Sequence, residues 1–426
     1  MPAHSSQLLA HSSQLIAHSN KRIRPFRLSV PPRRDYEQSA KGQSDCQTEG
    51  IANFAENSMN RALRIVIAGG GTGGHLFPGI SIAKEFMARN STSRVIFVST
   101  GNQLEKTVLS KAGFDLRSIQ VAGIKGRGLW NQIKSVLKIP GAILAAMRLL
   151  KNFSPDLTVG LGSYSAGPVV IGAWLMRTPI VIHEQNILPG ITNRILSRFA
   201  NRIFISFENT RSRFNPQKVY WSGNPVRREL LETAGCTDVT AAHQNDQKRF
   251  TILIIGGSQG AHGINMVMTE ALEYLRNPEQ LHFVHQTGEA DEKAVDDAYR
   301  SKSVSATAQA FFDDMAAQYG QADLIICRAG ATTVAEITAL GKAAIFVPFP
   351  YAADDHQTLN AADLAGDGAA ELIPEKELNP KLLAARIQHY MEQPADLENM
   401  AARARRFGKP EAAKNIVNDC YRLLNA

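Results

Sequence analysis

Four cysteines in 426 residues are too few and too scattered to organise this chain. Cys46, Cys236, Cys327 and Cys420 show neither Cys-x-x-Cys spacing nor a matching histidine cluster. That disfavours a disulfide framework or a zinc site and reads as reduced thiols of a cytosolic protein. Long apolar runs are also lacking. The strongest, Leu137 to Leu150, is short and broken by Pro140 and Gly141, too little to cross a bilayer, although the chain can still lie on one. No Gly-Lys-Ser or Gly-Lys-Thr follows a glycine loop, which disfavours a P-loop nucleotidase. The second expected strand runs into Val98-Ser-Thr-Gly101 without an acid. A nicotinamide enzyme would want a carboxylate there for the ribose 2′-hydroxyl.

The remaining composition, 44% hydrophobic and 20% charged, is that of a soluble globular protein long enough for two domains. A formal charge of +8 favours acidic partners: phosphates, anionic lipid heads or nucleic acid. The first 60 residues differ from the rest. Ala-His-Ser-Ser-Gln-Leu at 3–8 recurs at 10–15, and a basic stretch with no acid before Asp35 follows. A flexible tail, a targeting peptide and a mistranslated stretch upstream of Met59 are three open readings. The expected organisation is a disordered or non-native extension over 1–60, one lobe over 61–225 and a second over 226–426 that includes a C-terminal helix.

Two glycine-rich loops stand directly behind apolar runs. Arg64-Ile-Val-Ile-Ala68 leads into Gly69-Gly-Gly-Thr-Gly-Gly-His75, and Phe250 to Ile255 leads into Gly256-Gly-Ser-Gln-Gly-Ala261. Strand, glycine turn and helix start together cradle an anion, because backbone amides approach it closely and the helix terminus adds partial positive charge. Further strands are expected at 95–98, 157–159, 180–182, 202–205, 219–221, 282–284, 323–326 and 344–347, alternating with helical stretches as in a parallel α/β sheet. A third glycine turn spans 160–167. The polar stretch 229–248 reads as the connection between lobes.

Several side chains are placed for chemistry. His75, at the mouth of the presumed cleft, suits a general base, or else it bonds backbone at a helix start. His183-Glu184 ends a strand at the sheet edge where open α/β folds bind ligands. Glu184 is either a second candidate base or a turn cap. Glu336, in the first turns of a helix after Arg328-Ala-Gly330, can take both ribose hydroxyls or act as a dipole partner. Asp313-Asp314 and Asp354-Asp355 are adjacent acids that point apart, so no metal site is expected from them. Between Gly123 and Lys138 the apolar Ile124, Leu129, Trp130 and Ile133 alternate with bases. An interfacial membrane patch and an ordinary amphipathic helix both fit that pattern.

Taken in order, these segments resemble the MurG family, the UDP-N-acetylglucosamine–N-acetylmuramyl-(pentapeptide) pyrophosphoryl-undecaprenol N-acetylglucosaminyltransferases of peptidoglycan synthesis. The matching stretches are 70–79, 162–168, His183-Glu-Gln-Asn186 with Asn193, 223–227, 256–261, 285–288, 312–315, 328–336 and 354–361. The resemblance implies an α/β architecture of two Rossmann-like lobes about a cleft, the GT-B glycosyltransferase fold. It implies donor binding by Ser258, Gln259, Gly260, Phe312, Arg328, Glu336, Gln357 and Asn360. Acceptor contacts would come from Gly71, Thr72, Gly73, Gly74, Asn186, Asn193 and Arg227, with His75 and Glu184 as catalytic candidates.

The implied reaction moves N-acetylglucosamine from UDP-N-acetylglucosamine to the muramyl 4-hydroxyl of lipid I, with inversion, giving lipid II. No metal and no obligatory cofactor are expected. The implied partners are lipid I, an anionic membrane surface and other cell-wall and division proteins, with no nucleic acid. The implied location is peripheral, on the cytoplasmic face of the inner membrane. Another GT-B enzyme with a lipid acceptor and a UDP-sugar epimerase are the alternatives. Ala329 stands where Ser is common in the family, and His356 where some members have Gln.

Overall fold

Each apolar run expected to be a strand falls in one in the computed structural model, which describes residues 61–120, 139–236, 249–257 and 260–425. The first sheet holds β1 (Arg64–Ala68), β2 (Arg94–Ser99), β3 (Asp115–Ser118), β4 (Leu157–Gly160), β5 (Ile180–Glu184), β6 (Arg202–Ile205) and β7 (Val219–Trp221). Its order is 3-2-1-4-5-6-7, and every pairing is parallel. The second holds β8 (Phe250–Ile255), β9 (Leu281–Gln286), β10 (Ala306–Gln309), β11 (Leu324–Cys327), β12 (Ala343–Phe346) and β13 (Glu371–Leu372). It is parallel throughout in the order 10-9-8-11-12-13.

β1 from Ile65 and β8 from Ile252 are apolar to their ends because both faces are covered. In β1, Ile65 and Ile67 enter one core and Val66 and Ala68 another. In β8, Ile252 and Ile254 enter one core and Leu253 and Ile255 the next. The helices of the first lobe are α1 (Gly73–Arg89), α2 (Gln103–Lys111), α3 (Ile139–Phe153), α4 (Ser163–Leu175) and α5 (Ile191–Leu196). Next come α6 (Arg228–Cys236), α7 (His262–Ala271), α8 (Glu292–Ser301), α9 (Met315–Gln321), α10 (Ala331–Leu340) and α11 (His356–Gly366). The last are α12 (Pro380–Glu392), α13 (Pro394–Phe407) and α14 (Ala412–Asn425).

Two features differ from the linear reading. The stretch taken as a connection begins with a helix, α6, and Leu230 on it is buried in the second lobe's core. The final helix follows the second lobe in sequence but belongs to the first in space. Ile416, Val417, Cys420 and Tyr421 of α14 pack with Leu63, Ile82 and Phe86. The chain therefore passes between the lobes twice.

Candidate active site

In parallel sheets the loops that bear function leave the carboxyl ends of the strands, and the glycine loops lie there, after β1, β4 and β8. The helices behind them share an electrostatic property. α1, α4 and α7, and likewise α10 after β11, start behind Thr72, Gly162, Ala261 and Gly330, none of which gives a side-chain cap, and none has an acid in its first turn. By contrast, Asn102 caps α2, Asp314 caps α9 and Asn379 caps α12. An uncapped first turn leaves amides and dipole charge for an anionic ligand. The two lobes present such ends to one another: Thr332 Oγ1, near the start of α10, donates to Gly74 O at the start of α1 (3.2 Å).

His75 Nδ1 lies 3.0 Å from Gln185 Oε1. Burial pushes the imidazole below its ordinary pKa, and the Gln185 bond partly offsets this. Glu184 is 2% exposed, and burial pushes its carboxyl up. Its oxygens accept from Asn186 N (3.0 Å), Gly190 N (3.2 Å) and Asn193 Nδ2 (2.9 Å). Such a carboxylate shapes its loop; its lone pairs are already spoken for. Asn193 also donates to His183 O, while its Oδ1 is buried with no partner among the described residues. The Asn193 amide nitrogen and the His75 ring both lie beside Gly162.

Glu105 is a loop-anchoring residue that sequence reasoning missed. Fully buried, it accepts from Gly71 N (2.5 Å), Ser99 Oγ (2.6 Å), Gly101 N (2.7 Å) and Asn102 N (2.9 Å). It therefore ties the first glycine loop to the end of β2, near where a dinucleotide fold places its ribose acid. The only available signal was its place three residues after Asn102 in a capping box.

In the second lobe, Glu336 is 4% exposed. Arg227 Nε (3.0 Å) and Tyr319 OH (3.1 Å) donate to its two oxygens. Arg227 also stacks over Phe77 of α1, so the residue bonded to Glu336 reaches across the cleft to the first lobe. Asn360 makes a second bridge. Its Oδ1 accepts from Ile187 N (3.1 Å), and its Nδ2 donates to Asn186 Oδ1 (3.3 Å) and Ala329 O (3.3 Å).

Arg328 donates to Val347 O and Pro348 O and pairs with Glu375. Gln357 accepts from Phe349 N (2.9 Å). Gln286, also missed, donates to Gly257 O and accepts from Phe312 N (3.2 Å), joining the second glycine loop to Phe312. Gly260 has φ +76°, and a Cβ there would overlap the Thr287 carbonyl. Thr72 and Gly74 are exposed beside His75.

A cavity of about 980 Å³ opens between the lobes, lined by Phe77, Lys84, Lys111, Arg227, Phe311 and Met315 among others. Asp313 pairs with Lys111 across it (2.7 Å), while Asp314 serves as the cap of α9. Ser258, Gln259, Ile124, Leu129, Trp130 and Ile133 lie outside the described residues.

Comparison with known proteins agrees with this layout. The glycosyltransferase family 28 N-terminal domain matches residues 65–205, and the C-terminal domain of the same family matches 251–416. The chain is 47% identical over 363 residues to the UDP-N-acetylglucosamine–N-acetylmuramyl-(pentapeptide) pyrophosphoryl-undecaprenol N-acetylglucosamine transferase of Syntrophus aciditrophicus (strain SB), covering 85% of this chain and 99% of that one. A crystal structure of Acinetobacter baumannii MurG superimposes with TM-score 0.67 at 33% identity, over 85% of this chain and 99% of that one. A UDP-GlcNAc 2-epimerase from Neisseria meningitidis, bound to UDP-GlcNAc, superimposes with TM-score 0.61 at 17% identity, over 85% and 100%. The epimerase shares the fold alone. Both sheets, the matched domains and the structural neighbours are those of the GT-B fold.

Proposed function

This chain belongs to glycosyltransferase family 28, and we propose that it transfers N-acetylglucosamine from UDP-N-acetylglucosamine to the muramyl 4-hydroxyl of lipid I, forming lipid II. The observation that carries this reading is the pairing of uncapped helix starts from two lobes across one cleft. Such a cleft suits two diphosphates at once, one from a nucleotide sugar and one from a lipid-linked acceptor. An epimerase works on the nucleotide sugar alone and has no need of the first-lobe cradle.

In the proposed reaction the donor sits on the second lobe. The amides of the 256–261 loop and the start of α10 meet its diphosphate, and the Phe312 backbone meets the uracil. Glu336 takes the ribose after exchanging its bonds from Arg227 and Tyr319. Gln357 and Asn360 meet the sugar, and Arg328 lines the site. The acceptor diphosphate meets Gly71, Thr72, Gly73 and Gly74 at the start of α1, and Asn193 Oδ1 accepts a hydrogen bond from a hydroxyl or amide of the acceptor sugar.

His75 removes the proton as the 4-hydroxyl oxygen attacks the anomeric carbon and the bond to UDP breaks, which inverts that centre. Preorganised amides and dipoles stabilise the departing diphosphate. Glu184 positions Asn186 and Asn193 and is not the base.

Membrane docking is supported by a face of the first lobe where α3 packs on α4 and α4 on α5. Leu144, Trp174, Leu175, Ile191 and Ile195 are each about half exposed there. Arg148, Arg177, Arg194 and Arg198 are exposed on the same segments. Apolar side chains among bases suit an anionic leaflet, so the protein acts peripherally on the cytoplasmic face, where the polyprenyl tail of its acceptor stays. Leu144→Glu with Trp174→Glu is expected to abolish co-sedimentation with phosphatidylglycerol vesicles. Undiminished co-sedimentation would refute the docking face.

A further inference from the structure

Resting on His75 as the base, we infer that Gln185 and His183 are positioning residues for the transfer. They form a buried hydrogen-bonded relay that holds the His75 proton on Nδ1 and keeps Nε2 bare. The relay is forced by which atoms can donate. Gln185 Nε2 faces the carbonyls of Leu161 (3.1 Å) and His183 (3.4 Å), which only accept. Its amide NH₂ must therefore point there, leaving Oε1 toward His75 Nδ1 at 3.0 Å. An amide oxygen only accepts, so His75 Nδ1 carries the hydrogen and Nε2 its lone pair.

His183 closes the same logic one step back. Gln185 Nε2 also lies 3.2 Å from His183 Nδ1, which must accept. His183 Nε2 then carries the hydrogen and donates to Gly223 O at 3.3 Å. The amide shares its two hydrogens among these three acceptors, and His75 also hydrogen-bonds the Leu161 backbone; the flipped amide would set its oxygen against two carbonyls. His183 and Gln185 are at most 2% exposed, so water does not substitute for a lost link.

The relay begins at the chain's first passage between the lobes, since Gly223 follows β7 and precedes α6. It remains intact over the working range because burial holds His183 neutral down to about pH 4. His356, from α11 in the second lobe, acts electrostatically on His75, and His75 in turn lowers the pKa of His183. The carboxylates of the adjoining first-lobe loops, Glu105 and Glu184, are held by backbone amides, Ser99 and Asn193.

The test has two readouts. Nitrogen NMR of ¹⁵N-histidine-labelled wild-type protein, with His75 assigned by its loss in His75→Gln, should show a protonated Nδ1 and a pyridine-type Nε2 at neutral pH. The reverse tautomer, or a mixture, overturns the relay without any variant having to fold. The second readout is the pH profile of transfer. Gln185→Met removes an acceptor that favours imidazolium, so kcat should fall about 10- to 10³-fold with the donor KM unchanged, and the acid limb should move to lower pH. Gln185→Glu places a carboxylate on Nδ1–H, so the acid limb should move to higher pH, by about one unit. Limbs that move together, or stay still, overturn the relay. Full activity in His75→Ala would instead remove the base assignment, and the NMR result would still stand on its own.

Discussion

At the scale of single residues, burial decides what the titratable groups contribute. His183 and His285 lie in the interior, and burial lowers their pKa values to about 4 and about 3. His285 is satisfied by Tyr299 OH and Asn265 Oδ1, each at 3.0 Å, so it is structural. Both groups bind protons in the unfolded chain below about pH 6.5 but not in the folded one until far lower pH. Stability therefore falls as pH drops from about 6.5 toward 4, by roughly 3 kcal/mol per histidine at the acid end. Denaturant titrations at pH 7 and pH 4.5 should show that loss, and replacing His285 by Gln should flatten it. His75→Ala should lower kcat about 10²- to 10⁴-fold with little change in donor KM. For the wild type, the acid limb should lie below the ordinary imidazole pKa, since burial lowers that of His75. These roles were only partly legible in the sequence. His75 was visible because it adjoins a glycine loop. The pairings of Gln185 with His75 and of Glu105 with Gly71 were not, because these partners sit 110 and 34 residues apart and only the fold brings them together.

At the scale of elements, the glycine loops were legible because strand, turn and helix start are adjacent in the chain. Their glycines do not carry equal weight. Gly71 has φ +91° with open space around its Cβ position, whereas Gly260 has φ +76° and the Thr287 carbonyl in the way. Gly71→Ala should cost about 1–2 kcal/mol from backbone strain alone. Gly260→Ala must also displace the Thr287 backbone, so it should cost more and abolish UDP binding, as calorimetry and thermal melts would show. Equal losses in the two variants would contradict this. The strands missed from sequence were β3, β10 and β13, and topology supplies the reason. All three are edge strands, paired on one side only, and their Asp-Leu-Arg-Ser, Ala-Thr-Ala-Gln and Glu-Leu sequences need no continuous apolar run.

At the scale of the whole molecule, the sequence does not show that its end returns to its first lobe. The α14 pattern says only that one face is apolar. Which core it fills is a matter of topology, and Ile416, Val417, Cys420 and Tyr421 fill that of the first lobe. A chain ending at Gly408 should therefore melt at lower temperature and lose transfer, even though the deleted helix supplies none of the site residues. Retained transfer and an unchanged melt would place α14 outside the working fold. The two passages of chain also make the cleft one unit, with Arg227, Asn360 and Thr332 spanning it. The central claim is that this one cleft joins a nucleotide sugar to a lipid-linked acceptor. Its most direct test follows labelled N-acetylglucosamine from UDP-N-acetylglucosamine to a lipid I analogue in wild type, His75→Ala and Glu336→Gln. The account predicts a labelled lipid product from wild type, a loss in kcat for the first variant and a rise in donor KM for the second. Donor turnover that never labels the lipid would contradict it.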